Sequence, residues 1–187
     1  MFKTAAVAMF LAAALTQCHE PRTAPPEVAM SASKSLPVVL ELRRGDVIHG
    51  RIDRVSDGDS VQMRLENGTK VRMRLSAVDA PEKRQAFGDR SKKNLAALCL
   101  DRNAVATFVS FDRYLRSIVE LQCDGINAQE HQLRAGMAWV YEQYARDYPH
   151  FRPMENEARA AKRGLWSDPT EPVRPDLFRR MKRAPSH

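Results

Sequence analysis

The sequence predicts an α+β domain, a small and mostly antiparallel β-barrel carrying helices. Three observations carry that reading. Two runs alternate between apolar and polar residues, Val61-Met63-Leu65 and Val71-Met73-Leu75. Asn67-Gly68 lies between them, the commonest signal for a tight hairpin turn. Other stretches change to helical spacing, as in FGDRSKKNLAALCL at 87–100.

In chain order, DVIHGRIDRV at 46–55 reads as the first strand, followed by the hairpin strands SVQMRL and KVRMRL. The helix at 87–100 turns Phe87, Leu95, Leu98 and Cys99 inward. A second strand pair is expected at 104–109 and 117–121, leading to the Asp124-Gly125 turn. Further helices are expected at 127–135 and 154–163. With 187 residues, the chain suffices for one domain with a real core.

The two ends have a different texture. MFK carries Lys3, and an apolar run follows at 5–15, too short to span a bilayer comfortably. Residues 1–18 are therefore expected to be an export signal. Leu15-Thr16-Gln17-Cys18 resembles a lipobox, so Cys18 is either lipidated and membrane-attached or lost on cleavage. Residues 19–38, rich in Pro, Ala and Ser, read as a disordered linker. The segment 169–187 holds four of the eleven prolines, and from Arg174 onward five Arg/Lys against one acid. It reads as a flexible basic tail. An exported chain would be periplasmic, secreted or lipid-anchored in a bacterial envelope. It would retain Cys99 and Cys123, either as one bridge or as two buried thiols.

A formal net charge of +7 favours polyanionic partners such as nucleic acid. The sequence lacks an HExxH zinc pattern, a GxSxG elbow, a glycine-rich phosphate loop and a dinucleotide fingerprint. Its carboxylates are more informative. Asp57-Gly58-Asp59 sits between two strand-like runs, where glycine can bend the chain so that an aspartate points inward. Asp59 and Asp79 are hard oxygen donors of the type that hold Ca²⁺ or Mg²⁺. Arg74 and Arg116 have the planar fork that grips a phosphate in two places, and Glu82 can orient or deprotonate water.

VSDGDSV, RLSAVDAPE, QAFG, FDRYLRS, DGIN, GMAWVYEQY and RGLW stand in this order in the chain. In that order the set resembles the staphylococcal nuclease-like, or thermonuclease, family, from about Val47 to Trp166. The resemblance implies a five-stranded OB-type barrel with about three flanking helices, placed at 39–168. It implies that Asp59, Asp79 and the backbone carbonyl of Ala80 bind Ca²⁺, with Asp57 behind them. It implies Arg74 and Arg116 on the phosphate, Glu82 as the base, and Tyr141 and Tyr144 against the substrate's bases. It further implies cleavage of DNA or RNA at the 5′ P–O bond and a Cys99–Cys123 disulfide, and the chain is expected to be a monomer without an obligate protein partner. Some domains with this fold are instead binding modules that have lost these acids or arginines.

Two positions depart from the family pattern. Leu115 stands where the family commonly has glycine, and Ser91 where many relatives have alanine. Leucine would be strained if the backbone at 115 requires positive φ. Trp139 and Trp166 are expected in the core.

Overall fold

Five strands close into a barrel because the alternation in each puts one apolar face inward. The computed structural model describes residues 41–170 and 172–183. The expected signal, linker and Cys18 lie outside these residues. Strands β1 (Val47–Val55), β2 (Ser60–Arg64) and β3 (Lys70–Leu75) form an antiparallel meander. After a short β4 (Val78–Asp79) and helix α1 (Gly88–Cys99) come β5 (Asn103–Phe111) and β6 (Ser117–Cys123), paired antiparallel. β1 also pairs with β5, and a parallel contact between β3 and β6 closes the barrel, with Arg74 opposite Ile118. The rest comprises β7 (Ile126–Asn127), α2 (Ala128–Arg134), β8 (Trp139–Val140), α3 (Phe151–Ala160) and α4 (Pro175–Arg183).

The hairpin, the second strand pair and the three expected helices are all present. Val61, Met63, Val71, Met73 and Leu75 are buried, as their period of two requires. They join Ile52, Leu121, Leu133 and Phe151 in the main core. Trp139 and Trp166 belong to a second cluster with Ala158 and Leu165, packed edge to face at 5.8 Å between ring centroids. Cys99 and Cys123 form a disulfide that ties the end of α1 to the end of β6.

The expected flexible tail requires correction. Residues 175–183 form α4, a fourth helix among the described residues where about three are expected. Only Pro175 in it is buried, while Leu177 and Met181 are exposed. Leu177, Phe178 and Met181 share one helical face, so the segment does carry an amphipathic pattern, but that face is largely left out of the core. Polar contacts hold it instead. Gln85 Nε2 donates to the Val173 carbonyl, and Arg174 faces Glu142 at 3.7 Å.

Two buried glutamines on α2 fix the loops that matter most. Gln132 Nε2 donates to the Gly58 carbonyl at 2.6 Å and to the Ser91 carbonyl at 3.2 Å. Gln129 Nε2 donates to the Val119 carbonyl at 3.0 Å and to Ser76 Oγ at 3.1 Å, while its Oε1 accepts from the Leu121 N–H. Buried amides satisfied in this way specify one arrangement of the backbone around them.

Candidate active site

The turn between β1 and β2 is closed by the Ser56 N–H donating to the Ser60 carbonyl at 2.8 Å. Gly58 is needed there for a reason the sequence did not reveal. A Cβ at that position would lie 1.8 Å from Ser91 Oγ and 2.7 Å from Ala80 Cβ. Glycine therefore lets the turn pack directly on α1 and on residue 80. Ser91 is itself committed, its hydroxyl donating to the Met137 carbonyl at 2.7 Å.

That packing brings Asp59 to Arg74 and Asp79. Arg74 is the polar-face residue of β3 nearest its end, and its guanidinium bridges the two acids. Nη1 donates to Asp59 Oδ2 at 2.5 Å and Nη2 to Asp79 Oδ1 at 2.9 Å. Asp59 also accepts from Ser60 Oγ at 2.8 Å and from the Ala80 N–H at 3.1 Å. Both carboxylates are only 3% exposed, so their charges must be met by partners inside the protein. Arg72, two residues before Arg74 on the same face, is exposed.

β4 pairs with β8, Asp79 opposite Trp139, which anchors the 79–82 turn to the tryptophan cluster. Pro81 is buried, and Glu82 follows it half-buried, its N–H donating to Gln85 Oε1 at 3.1 Å. On the other flank, Asp112 organises the β5–β6 connection. Its Oδ1 accepts from the N–H groups of Tyr114 and Arg116 at 2.8 and 2.9 Å, and its Oδ2 from Arg116 Nε at 2.7 Å. Arg116 Nη1 reaches Ser60 Oγ at 3.3 Å. Leu115 does adopt a left-handed backbone, φ 58°, as the glycine of the family pattern foreshadowed.

These residues line one cleft of about 580 Å³, shared by Asp57, Asp59, Arg74, Glu82, Arg116, Tyr141 and Tyr144. Asp79 lies behind the guanidiniums of Arg74 and Arg179. Tyr141 and Tyr144 stand together at 5.7 Å between ring centroids. Tyr114, 56% exposed, adds a third ring that sequence reasoning did not single out. A depression of similar size elsewhere is lined by Glu66 and Asp124, both exposed, and lacks a converging buried set.

Two further residues were missed. Arg179 of α4 donates from Nη1 to Glu82 Oε1 at 2.7 Å and from Nη2 to Asp79 Oδ2 at 3.0 Å. Asp112 is the other, visible in the sequence only as an acid four residues before Arg116. No local pattern could connect Arg179 to residues so far upstream.

The electrostatics at the base of the cleft are set by buried carboxylates that share a few guanidiniums. Burial, then the Asp59 charge, pushes the Asp57 carboxyl up to about 7. Burial would raise Asp59 too, but Arg74 and three hydrogen bonds outweigh it and hold that group below the usual carboxylate range. Burial raises Asp79 despite its bonds to Arg179 and Arg74. Four carboxylates, Asp57, Asp59, Asp79 and Glu82, thus surround two directly contacting guanidiniums, Arg74 and Arg179. Among the described residues no three His, Cys, Asp or Glu side chains close a metal cage. Two converging buried carboxylates fit a hard divalent cation that keeps part of its water shell.

Residues 72–168 match the family described as staphylococcal nuclease homologue. The chain belongs to that family. It is 41% identical over 154 residues to an uncharacterized endonuclease of Escherichia coli O157:H7, covering 80% of this chain and 99% of the relative. It is 35% identical over 133 residues to an uncharacterized endonuclease of Haemophilus influenzae, covering 71% of this chain and 74% of the relative. A micrococcal nuclease of Shigella flexneri is 37% identical over 130 residues, covering 64% of this chain and 74% of that protein. As a family member this chain has the closed five-stranded barrel expected of it, with four α-helices among the described residues.

Proposed function

We propose that this nuclease hydrolyses the phosphodiester backbone of DNA or RNA with one hard divalent cation, Ca²⁺ before Mg²⁺, leaving 3′-phosphates. The observation that carries the reading is the Arg74 guanidinium set between two buried carboxylates at the wall of a cleft that also holds Glu82 and Arg116. Asp59, Asp79 and the Ala80 carbonyl would hold the cation, with Asp57 next to Asp59. When bound, it supplies positive charge to the phosphate oxygens.

The chain's own groups do the rest. Arg74 and Arg116 grip the scissile phosphate from two sides and stabilise the charge that grows on five-coordinate phosphorus. Asp112 aims Arg116, a role the 2.7 Å contact to its Nε supports. Glu82 takes the proton of the attacking water, a P–O bond forms from that water, and the 5′ P–O bond breaks. The leaving 5′ oxygen takes a proton from solvent water to end as a hydroxyl, and Glu82 returns its proton to solvent. Tyr141, Tyr144 and Tyr114 offer ring faces to the bases.

The leader-like start and the Cys99–Cys123 bridge support an exported protein acting outside the reducing cytosol. The deciding experiment incubates the protein with single-stranded and duplex DNA and with RNA, in Ca²⁺, in Mg²⁺ and in chelator. Cleavage that stops on chelation, with 3′-phosphate ends, is expected. Binding without cleavage under every divalent ion would mark a binding module instead.

A further inference from the structure

Past Glu82 the catalytic cleft runs into a second groove of about 380 Å³. Lys83 and Arg84, from the turn after β4, line it together with Phe178, Lys182 and Arg183 of α4. Glu82, Arg179 and Arg183 line both groove and cleft, so the two adjoin. We propose that this groove is a phosphate-binding extension that holds the polynucleotide strand beyond the scissile phosphate and sets a preference for long substrates. The inference deepens the nuclease reading by naming where the strand runs.

The charge pattern is the first argument. Some basic residues elsewhere on the surface face acids, as Arg51 does Asp101 at 3.8 Å and Arg102 does Asp124 at 3.7 Å. Lys83, Arg84, Lys182 and Arg183 are all exposed, and among the described residues none of them pairs with a carboxylate. Four uncompensated cations lining one groove repel one another, and a chain of phosphates removes that repulsion while releasing its own counterions.

Shape and chemistry agree with the charge. Phe178 is half-buried and gives the groove an apolar wall, with Lys182 Nζ 4.7 Å from its ring centroid. An aromatic face beside cations is what a single strand recognises, a base stacking while the backbone pairs. The cations line a recess that leads to the catalytic acids, which favours a threaded strand over a flat anionic lipid surface. α4, which has no role in the barrel core, thereby acquires one.

The test uses the full chain and the variant K83E/R84E/K182E, none of whose positions is assigned to the chemistry. Fluorescein-labelled oligothymidylates of 3 and 15 nucleotides are bound in chelator from 50 to 200 mM salt, and their cleavage is followed in Ca²⁺. The variant is expected to lose about tenfold or more in affinity for the 15-mer at low salt. Its salt slope should shrink by about 2, since each cation lost removes about 0.7 on a single strand. Binding and cleavage of the 3-mer should not change.

Equal losses at both lengths, or none, would overturn the proposal. If the triple variant melts abnormally, R84E and K182E, from separate elements, must each show a partial loss confined to the 15-mer. Loss of binding to phosphatidylglycerol vesicles with the 15-mer unaffected would assign the groove to lipid and also overturn it. A wild-type chain that binds the 15-mer through these cations but cleaves neither length refutes the nuclease reading and leaves the groove assignment standing.

Discussion

Arg179 Nη1 lies 2.7 Å from Glu82 Oε1, across 97 residues of sequence, while the same guanidinium holds Asp79. One side chain of α4 therefore occupies oxygens of the proposed base and of a proposed cation ligand together. A divalent cation bound as proposed would compete with Arg179 for the Asp79 carboxylate. Arg179→Met, which keeps length and removes charge, is expected to tighten Ca²⁺ binding about fivefold in calorimetry. That corresponds to losing a partly exposed ion pair worth about 1 kcal/mol. Unchanged Ca²⁺ affinity would show that the guanidinium and the cation do not share the site.

Glu82 is half-buried, and its backbone is pinned by Gln85. Glu82→Gln keeps shape and hydrogen bonding but cannot accept the proton. Turnover should fall roughly 10²–10⁴-fold, typical for losing a proton-transfer group, with melting temperature and oligonucleotide affinity near wild type. Normal turnover would remove Glu82 from the mechanism.

Asp112 is a positioning residue, since its contacts are to Arg116 and Tyr114. Burial works to raise its carboxyl, but the N–H groups and charge of Arg116 and Tyr114's N–H hold it below the usual range. A depressed carboxylate contributes stability that is complete above its unfolded value, about 3.9, and is lost as pH falls through the lower folded one. Asp112→Asn should therefore cost about 1–2 kcal/mol at pH 7, and the gap to wild type should begin to close as pH falls below about 4. A stability gap independent of pH would argue that the ionised carboxylate is not what holds the loop. KM should rise more than kcat falls, because the arginine is loosened and not removed.

Leu115 pays a left-handed backbone cost of about 1–2 kcal/mol with a side chain that is 52% exposed. The turn around it is kept by the Leu115 N–H donating to the Asp112 carbonyl at 3.0 Å. Leu115→Gly is expected to stabilise the protein by about 1 kcal/mol in urea unfolding, the glycine's greater unfolded-state freedom taking back part of the gain. A destabilised variant would mean that the exposed side chain contributes more packing than the strain costs.

The site was legible wherever local pattern and chemistry coincide. Asp59, Arg74, Asp79 and Glu82 fall at strand ends and turns, and such positions place side chains at a barrel rim. The need for Gly58 was legible as a residue and not as a reason, since the reason is the distance to Ser91 and Ala80 across the fold. Asp112 stands in the FDRYLRS motif with no role legible there, because its role is a set of hydrogen bonds that only a closed loop creates.

By itself the sequence determined the barrel, through period-two burial in β1 to β3 and β5 to β6, and the order of motifs that marks the family. Tertiary structure alone decided what residues 175–183 do. α4 has Leu177, Phe178 and Met181 at helical spacing yet buries almost no apolar side chain, so its amphipathic pattern alone does not say where it docks. Its place is set by ion pairs from Arg179 to Asp79 and Glu82, and Coulomb attraction between residues about a hundred positions apart leaves no trace in local sequence.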